Sequence, residues 1–175
     1  DFIRMHLSVP ATLTLDDGTI IPLGNQSNIK NIVENNYSYI SNKIIEFKPS
    51  LATVETKLFK IKTPRGGTFQ AILADGTKIW LNSNSEIEFP NQFNSSVRTV
   101  KLLTGEIYFD VAKDKDKPFI VQTQLYNIKV LGTSFNVNSH LPNKVKTLLV
   151  EGSVHISTAN KSLALSPGES VENDG

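Results

Sequence analysis

The sequence predicts an all-β domain of short antiparallel strands, closed as a sandwich or roll or wound as an irregular β-solenoid, with little helix. Three observations predict it. Valine, isoleucine and threonine number 13, 16 and 14 against 7 alanines, and β-branched side chains suit a pleated, half-buried surface better than a helix, where their χ1 freedom is lost. Short runs alternate apolar and polar residues with the period of two that sends successive side chains to opposite faces of a sheet. Gly, Pro, Asn and Asp punctuate those runs, as turns require. With 175 residues, 39% of them hydrophobic and 20% charged, the chain is globular in composition and long enough to bury a core without disulfides.

The first element is ATLTLDDGTIIPL (11–23), where Leu13 and Leu15 share a face, Asp17-Gly18 turns the chain, and Ile21 and Leu23 continue. Asp-Gly between alternating apolar runs marks a hairpin, because both residues tolerate positive φ. Residues 24–50 are rich in Asn; Ile29, Ile32 and Val33 suit one helical turn, but Asn side chains compete for backbone hydrogen bonds, so loops and short strands are expected there, with KIIEFK (43–48) as a strand. LFKIK (58–62) is the next strand, and Thr63-Pro64-Arg65-Gly66-Gly67 a turn. The stretch AILADGTKIWL (71–81) then repeats LTLDDGTIIPL (13–23) at an offset of 58, which suggests a duplicated hairpin.

Nine further strands are expected: EIEF (86–89), VRTVKLL (97–103), GEIYFDVA (105–112), PFIVQT (118–123), YNIKVLG (126–132), SFNVNS (134–139), KTLLVEG (146–152), SVHIS (153–157) and SLALS (162–166). A glycine heading an alternating run recurs at Gly105, Gly132 and Gly152, at intervals of 27 and 20. The spacing is irregular, so these glycines read as bulges or corners and no solenoid period is established.

Function classes are then narrowed by charge and by missing motifs. Net charge is +1 without a basic stripe, which argues against phosphate-driven nucleic-acid binding. There is no apolar run near the length of a membrane span and no visible signal peptide; the opening Asp1-Phe2-Ile3-Arg4 reads as a cut in a longer chain or as a mature terminus. The chain has no cysteine, so disulfides, Fe–S clusters and cysteine-zinc sites are out. His6, His140 and His155 lie far apart in sequence and read as ordinary histidines. No Gly-x-Ser-x-Gly, Walker or dinucleotide glycine pattern occurs, and the residues call for no cofactor. Asp114-x-Asp116 lacks the glycine and glutamate of a calcium loop, so KDKDKP reads as a solvated turn; Asp75 reads as a turn residue too.

Trp80 and Tyr108 fall on the face opposite their apolar neighbours. Packing in the core or between layers is the simpler reading, while an exposed aromatic row stacking on sugar rings would make this a carbohydrate-binding β-domain. Tyr37 and Tyr39 suit a partner surface in the same way.

One long stretch carries a family resemblance. TPRGGTFQAILADGTKIWLNSNSEIEFP, LLTGEIYFDVAKDKDKPFIVQT, VLGTSFNVNS and TLLVEGSVHIS, followed by LSPGES, resemble in order and spacing the periplasmic domain of FecR-family anti-sigma factors. The extra Asp-Gly hairpin in front resembles the extension of the Bacteroidetes branch. This divides the chain into an N-terminal periplasmic β extension (1–62) and a FecR-like β domain (63–175).

The resemblance implies the periplasmic portion of a single-pass inner-membrane protein, acting as a sensor module in cell-surface signalling. Its partners would be the signalling domain of a TonB-dependent outer-membrane transducer and, through a cytoplasmic segment absent here, an extracytoplasmic-function sigma factor. The membrane would be reached only through a spanning helix, also absent here. No turnover of small substrates is implied. Some family members cleave themselves at a Gly-Thr bond by an N–O acyl shift, and Gly132-Thr133 in VLGTSF matches that position. The simpler reading of that pair is a corner glycine followed by a β-former.

Overall fold

The computed structural model describes residues 9–24, 37–41, 43–49 and 55–174. His6 and the Ile29–Val33 segment lie outside the described residues, as do the side chains of Tyr37 and Tyr39. Among the described residues there are sixteen strands and no helix. In chain order they are β1 (Thr12–Thr14), β2 (Ile20–Pro22), β3 (Tyr37–Ser41), β4 (Ile44–Phe47), β5 (Leu58–Lys62), β6 (Phe69–Ile72), β7 (Lys78–Leu81) and β8 (Glu86–Pro90). There follow β9 (Arg98–Asp110), β10 (Phe119–Gln122), β11 (Asn127–Val130), β12 (Ser134–Ser139), β13 (Val145–Glu151), β14 (Val154–Ser157), β15 (Ser162–Leu165) and β16 (Ser170–Asn173).

They form two sheets that share one strand. The first runs β2-β1-β5-β8-β9-β10-β11-β14-β15. The second runs β3-β4-β6-β7-β9-β12-β13-β16. The chain alternates between them, hairpin by hairpin. Two pairs, β4 with β6 and β9 with β10, are parallel, and here the pairing departs from the antiparallel arrangement that the other strand pairs keep. The cause is the alternation. Between β4 and β6 the chain visits the other sheet as β5. Between the start of β9 and β10 it crosses over along β9 itself and returns through the KDKDKP loop. Each crossover does the work usually given to a helix.

The shared strand corrects a second expectation. VRTVKLL and GEIYFDVA are one continuous strand, β9, whose first half pairs with β8 and β10 and whose second half pairs with β7 and β12. Its inward residues are Arg98, Val100 and Leu102, then Gly105, Ile107 and Phe109. The phase changes because Leu103 is an extra residue: Glu86 pairs with Thr104 and Ile87 with Leu102. Such a bulge bends a strand and lets it turn the corner between two sheets. The glycines that recur in the sequence mark such corners: the chain passes between sheets at Gly105, Gly132 and Gly152, with φ of +97°, +146° and +94°.

The core lies between the sheets. Phe47 of the second sheet meets Phe89 of the first edge to face, with ring centroids 5.0 Å apart. Phe109 stacks on Phe135 at 5.1 Å and touches Phe119 across the interlayer space. Each fully buried Phe contributes roughly 1.5–3 kcal/mol relative to an exposed one. A polar tie also spans the layers: the buried hydroxyls of Tyr126 and Thr147 lie 3.0 Å apart. Burial raises the Tyr126 hydroxyl above its ordinary range; the hydrogen bond to Thr147 opposes that rise.

The two Asp-Gly hairpins have the same turn at the predicted offset. Leu15 and Leu73 carbonyls accept from the Gly18 and Gly76 amides, and Thr19 and Thr77 amides donate to the Asp17 and Asp75 carboxylates. Only the glycine of each pair has positive φ. The turn is therefore a three-residue connection closed by a glycine bulge, in place of a two-residue turn with both residues left-handed. β5 ends at the expected domain boundary and pairs with β1 on one side and β8 on the other, so a continuous ladder crosses position 62. Strand β16 has no counterpart among the sequence expectations; it pairs with β13, and Lys144 clips it through Glu172 at 2.7 Å. That hydrogen bond lowers the Glu172 carboxyl and raises the Lys144 ammonium from their ordinary values.

Candidate functional site

The outward faces of the two sheets differ. On the first sheet, charged pairs line the surface: Lys60 with Glu88 at 3.5 Å and Lys62 with Glu86 at 3.6 Å. The second sheet carries a groove of about 530 Å³ lined by Gln70, Trp80, Asn82, Glu106, Tyr108 and Asn136, with Lys43, Ile44 and Thr68 among the residues that complete its lining.

Strand pairing assembles the groove. Gln70 of β6, Trp80 of β7, Tyr108 of β9 and Asn136 of β12 are successive cross-strand partners and form one row over four strands. Directly opposed side chains on one face approach to about 4.5–5.5 Å between Cβ atoms, so the row is continuous. Trp80 and Tyr108 meet edge to face, centroids 5.6 Å apart with a 64° angle between planes. The indole stays 37% exposed, so the expectation that these rings pack in the core or between layers is corrected. No third layer covers this face among the described residues.

Beside the rings sits a carboxylate fixed at both oxygens. Glu106 Oε1 accepts from the Asn136 amide at 2.7 Å, and Oε2 accepts from the Asn82 amide at 3.1 Å. Asn82 is itself held, since its backbone N–H donates to the Glu106 carbonyl at 2.9 Å and its side-chain oxygen accepts from Ser83. Sequence reasoning overlooked Gln70, Asn82, Glu106 and Asn136. Their outward parity was readable along the chain, but the neighbours that make them a cluster come from β6, β9, β12 and the residue that follows β7.

The other singled-out residues stand apart from the groove. Gly132 lies at the corner between β11 and β12, where a side chain would run into the Lys113 backbone, its ideal Cβ lying 2.8 Å from Lys113 Cα. Thr133 is buried, and its hydroxyl donates to the Ser153 carbonyl at 2.9 Å. Asp114 accepts from the amides of Asp116 and Lys117 and so organises the KDKDKP turn. His140 and His155 are exposed on different strands or their ends, and among the described residues no three His, Cys, Asp or Glu side chains gather as a metal site.

The model of the family described as FecR protein matches residues 59–155, from β5 through β14. The chain belongs to the FecR family. Two crystal structures of a candidate anti-sigma factor from Parabacteroides distasonis ATCC 8503 share its fold. One is 32% identical with a TM-score of 0.63, covering 66% of this chain and 55% of that one; the other is 33% identical with a TM-score of 0.64, covering 67% and 55%. The FecR chain described here thus spans little more than half the length of these relatives. No curated protein sequence matches. Among the described residues no helix is long and apolar enough to cross a membrane.

Proposed function

We propose that this chain is the periplasmic sensor module of a transmembrane anti-sigma factor. It relays a signal from a TonB-dependent outer-membrane transducer to an extracytoplasmic-function sigma factor, which a cytoplasmic segment of the same protein binds. The observation that carries this reading is the FecR match across residues 59–155, which takes in the corner strand β9 and most of the interlayer core. The architecture suits a relay. Two sheets fused through one strand move as a unit, and open sheet edges such as β15 offer unpaired backbone groups to a partner strand.

The test is calorimetric titration of the complete periplasmic region with the transducer's N-terminal signalling domain. Saturable heat at a one-to-one ratio is expected; a flat titration with both proteins folded sinks the reading. In this role Gly132-Thr133 serves as a structural corner. Intact-mass spectrometry after prolonged incubation is then expected to show one unbroken species, whereas two fragments meeting at that bond would establish the acyl shift instead.

A further inference from the structure

The geometry points to the groove on the second sheet as a binding site for a neutral oligosaccharide. The site joins an exposed indole to a carboxylate that two amides hold in place.

The volume of about 530 Å³ falls within the range of roughly 300–1,000 Å³ typical of small-molecule sites. Adjacent strands are spaced at roughly 4.8 Å, so the span from Trp80 across Tyr108 to Asn136 is roughly 10 Å, the scale of two sugar rings. An aromatic ring left open beside polar groups suits a ligand that is apolar on one face and wet at its edge. A pyranose ring is such a ligand: its C–H face packs on an aromatic ring, and its hydroxyls point outward. The 64° angle between Trp80 and Tyr108 rules out a flat double platform, so one sugar ring stacks, on the exposed indole.

The carboxylate selects among ligand classes. An ionised Glu side chain is acceptor-only, with about four lone-pair positions. Asn82 and Asn136 fill one on each oxygen of Glu106. The remaining positions call for donors, which sugar hydroxyls supply and which phosphates or carboxylates do not. A nucleic acid or an anionic lipid is repelled by the same charge. Because both amides already hold Glu106 in place, it gives up little rotamer freedom on binding.

The chain has a single tryptophan, and it lies in this groove, so intrinsic fluorescence reads the site directly. The probes are cello-, malto-, manno-, xylo- and galactotetraose at millimolar concentration. At least one is expected to change the Trp80 emission saturably. Glu106→Gln cannot accept from both amides through two oxygens, and its binding should weaken by about tenfold, the loss expected for one hydrogen bond to a charged group. Asn136→Ala, which keeps Glu106, should weaken it in the same direction, and Trp80→Ala should abolish binding measured by saturation-transfer NMR. Gln122→Ala, on the other sheet, should bind as the parent does. Silence from all five sugars, or a response unchanged in both Glu106→Gln and Asn136→Ala with circular dichroism intact, overturns the inference. A response to a peptide and to none of the sugars also overturns it. None of these measurements involves the transducer, so the sensor-module reading stands or falls separately.

Discussion

Gly105→Ala is expected to destabilise the protein by roughly 3–5 kcal/mol, the sum of a strained backbone and an overpacked contact. Gly105 has φ +97°, where L side chains are rarely found. A Cβ there would sit 2.3 Å from Ser85 Cα, and that neighbour is backbone, which cannot swing aside. The approach is close for a reason. At the bulge β9 loses regular pairing, and the Ser85 hydroxyl substitutes for the missing ladder, accepting from the Glu106 amide at 2.9 Å and lying 3.1 Å from the Glu106 carbonyl, to which it donates. Moving Ser85 away to admit a methyl group breaks both contacts. Ser85→Ala should cost less, about 1–3 kcal/mol for an amide left without its partner. Urea unfolding checks both: the midpoint should fall with little change in slope. An Ala variant as stable as the parent would mean that β9 does not bend at this residue. Because Glu106 follows directly, a folded Gly105→Ala protein should also lose the groove's carboxylate geometry.

Much of this architecture can be read from period-two alternation. The inward residues of β6, β7 and β14 are apolar, as are Phe135 and Val137 of β12, and the repeated Asp-Gly motif correctly gave two equivalent turns. What alternation could not give was β9 as a single strand. One extra residue, Leu103, inverts the parity, and a phase slip in sequence is indistinguishable from a break between two strands. The assignment of hairpins to sheets was hidden for a similar reason, since it depends on corners rather than on any run. The groove illustrates the same limit. Glu106, Tyr108 and Asn136 each show as outward positions, but four-strand pairing sets their adjacency. For Trp80 the parity was right, and the mistaken step was to suppose a second layer over that face.

Arg98 is the opposite case: it shares the inward face of β9 with Val100 and Leu102 although it is charged. Replacing it should cost about as much as the glycine change. Arg98 is 2% exposed, and its guanidinium binds four parts of the fold at once. Nη1 donates to Asp75 Oδ2 at 2.7 Å and to the Ala112 carbonyl at 2.9 Å, Nε donates to the Lys117 carbonyl at 2.8 Å, and the group lies over the Phe119 ring at 5.4 Å. It therefore ties the β6–β7 turn of the second sheet to the start of β9 in the first, and closes the loop by which the chain returns to β10. Removing one member of a buried pair strands the other, at roughly 3–5 kcal/mol.

Arg98→Met is expected to fall in that range. Arg98→Lys should recover little, because a single ammonium cannot reproduce a planar fork that reaches a carboxylate and two carbonyls. Asp75→Asn combined with Arg98→Met should cost less than the sum of the single changes, since no lone charge then remains buried. The residual cost would report the Ala112 and Lys117 carbonyls. The first hairpin supplies an internal control: Asp17 occupies the same turn position, caps Thr19 in the same way and has no arginine partner among the described residues, so Asp17→Ala should scarcely move the urea midpoint. If Arg98→Met were equally silent, the guanidinium would be a passenger, and the joint between the sheets would rest on aromatic packing and the β9 backbone alone.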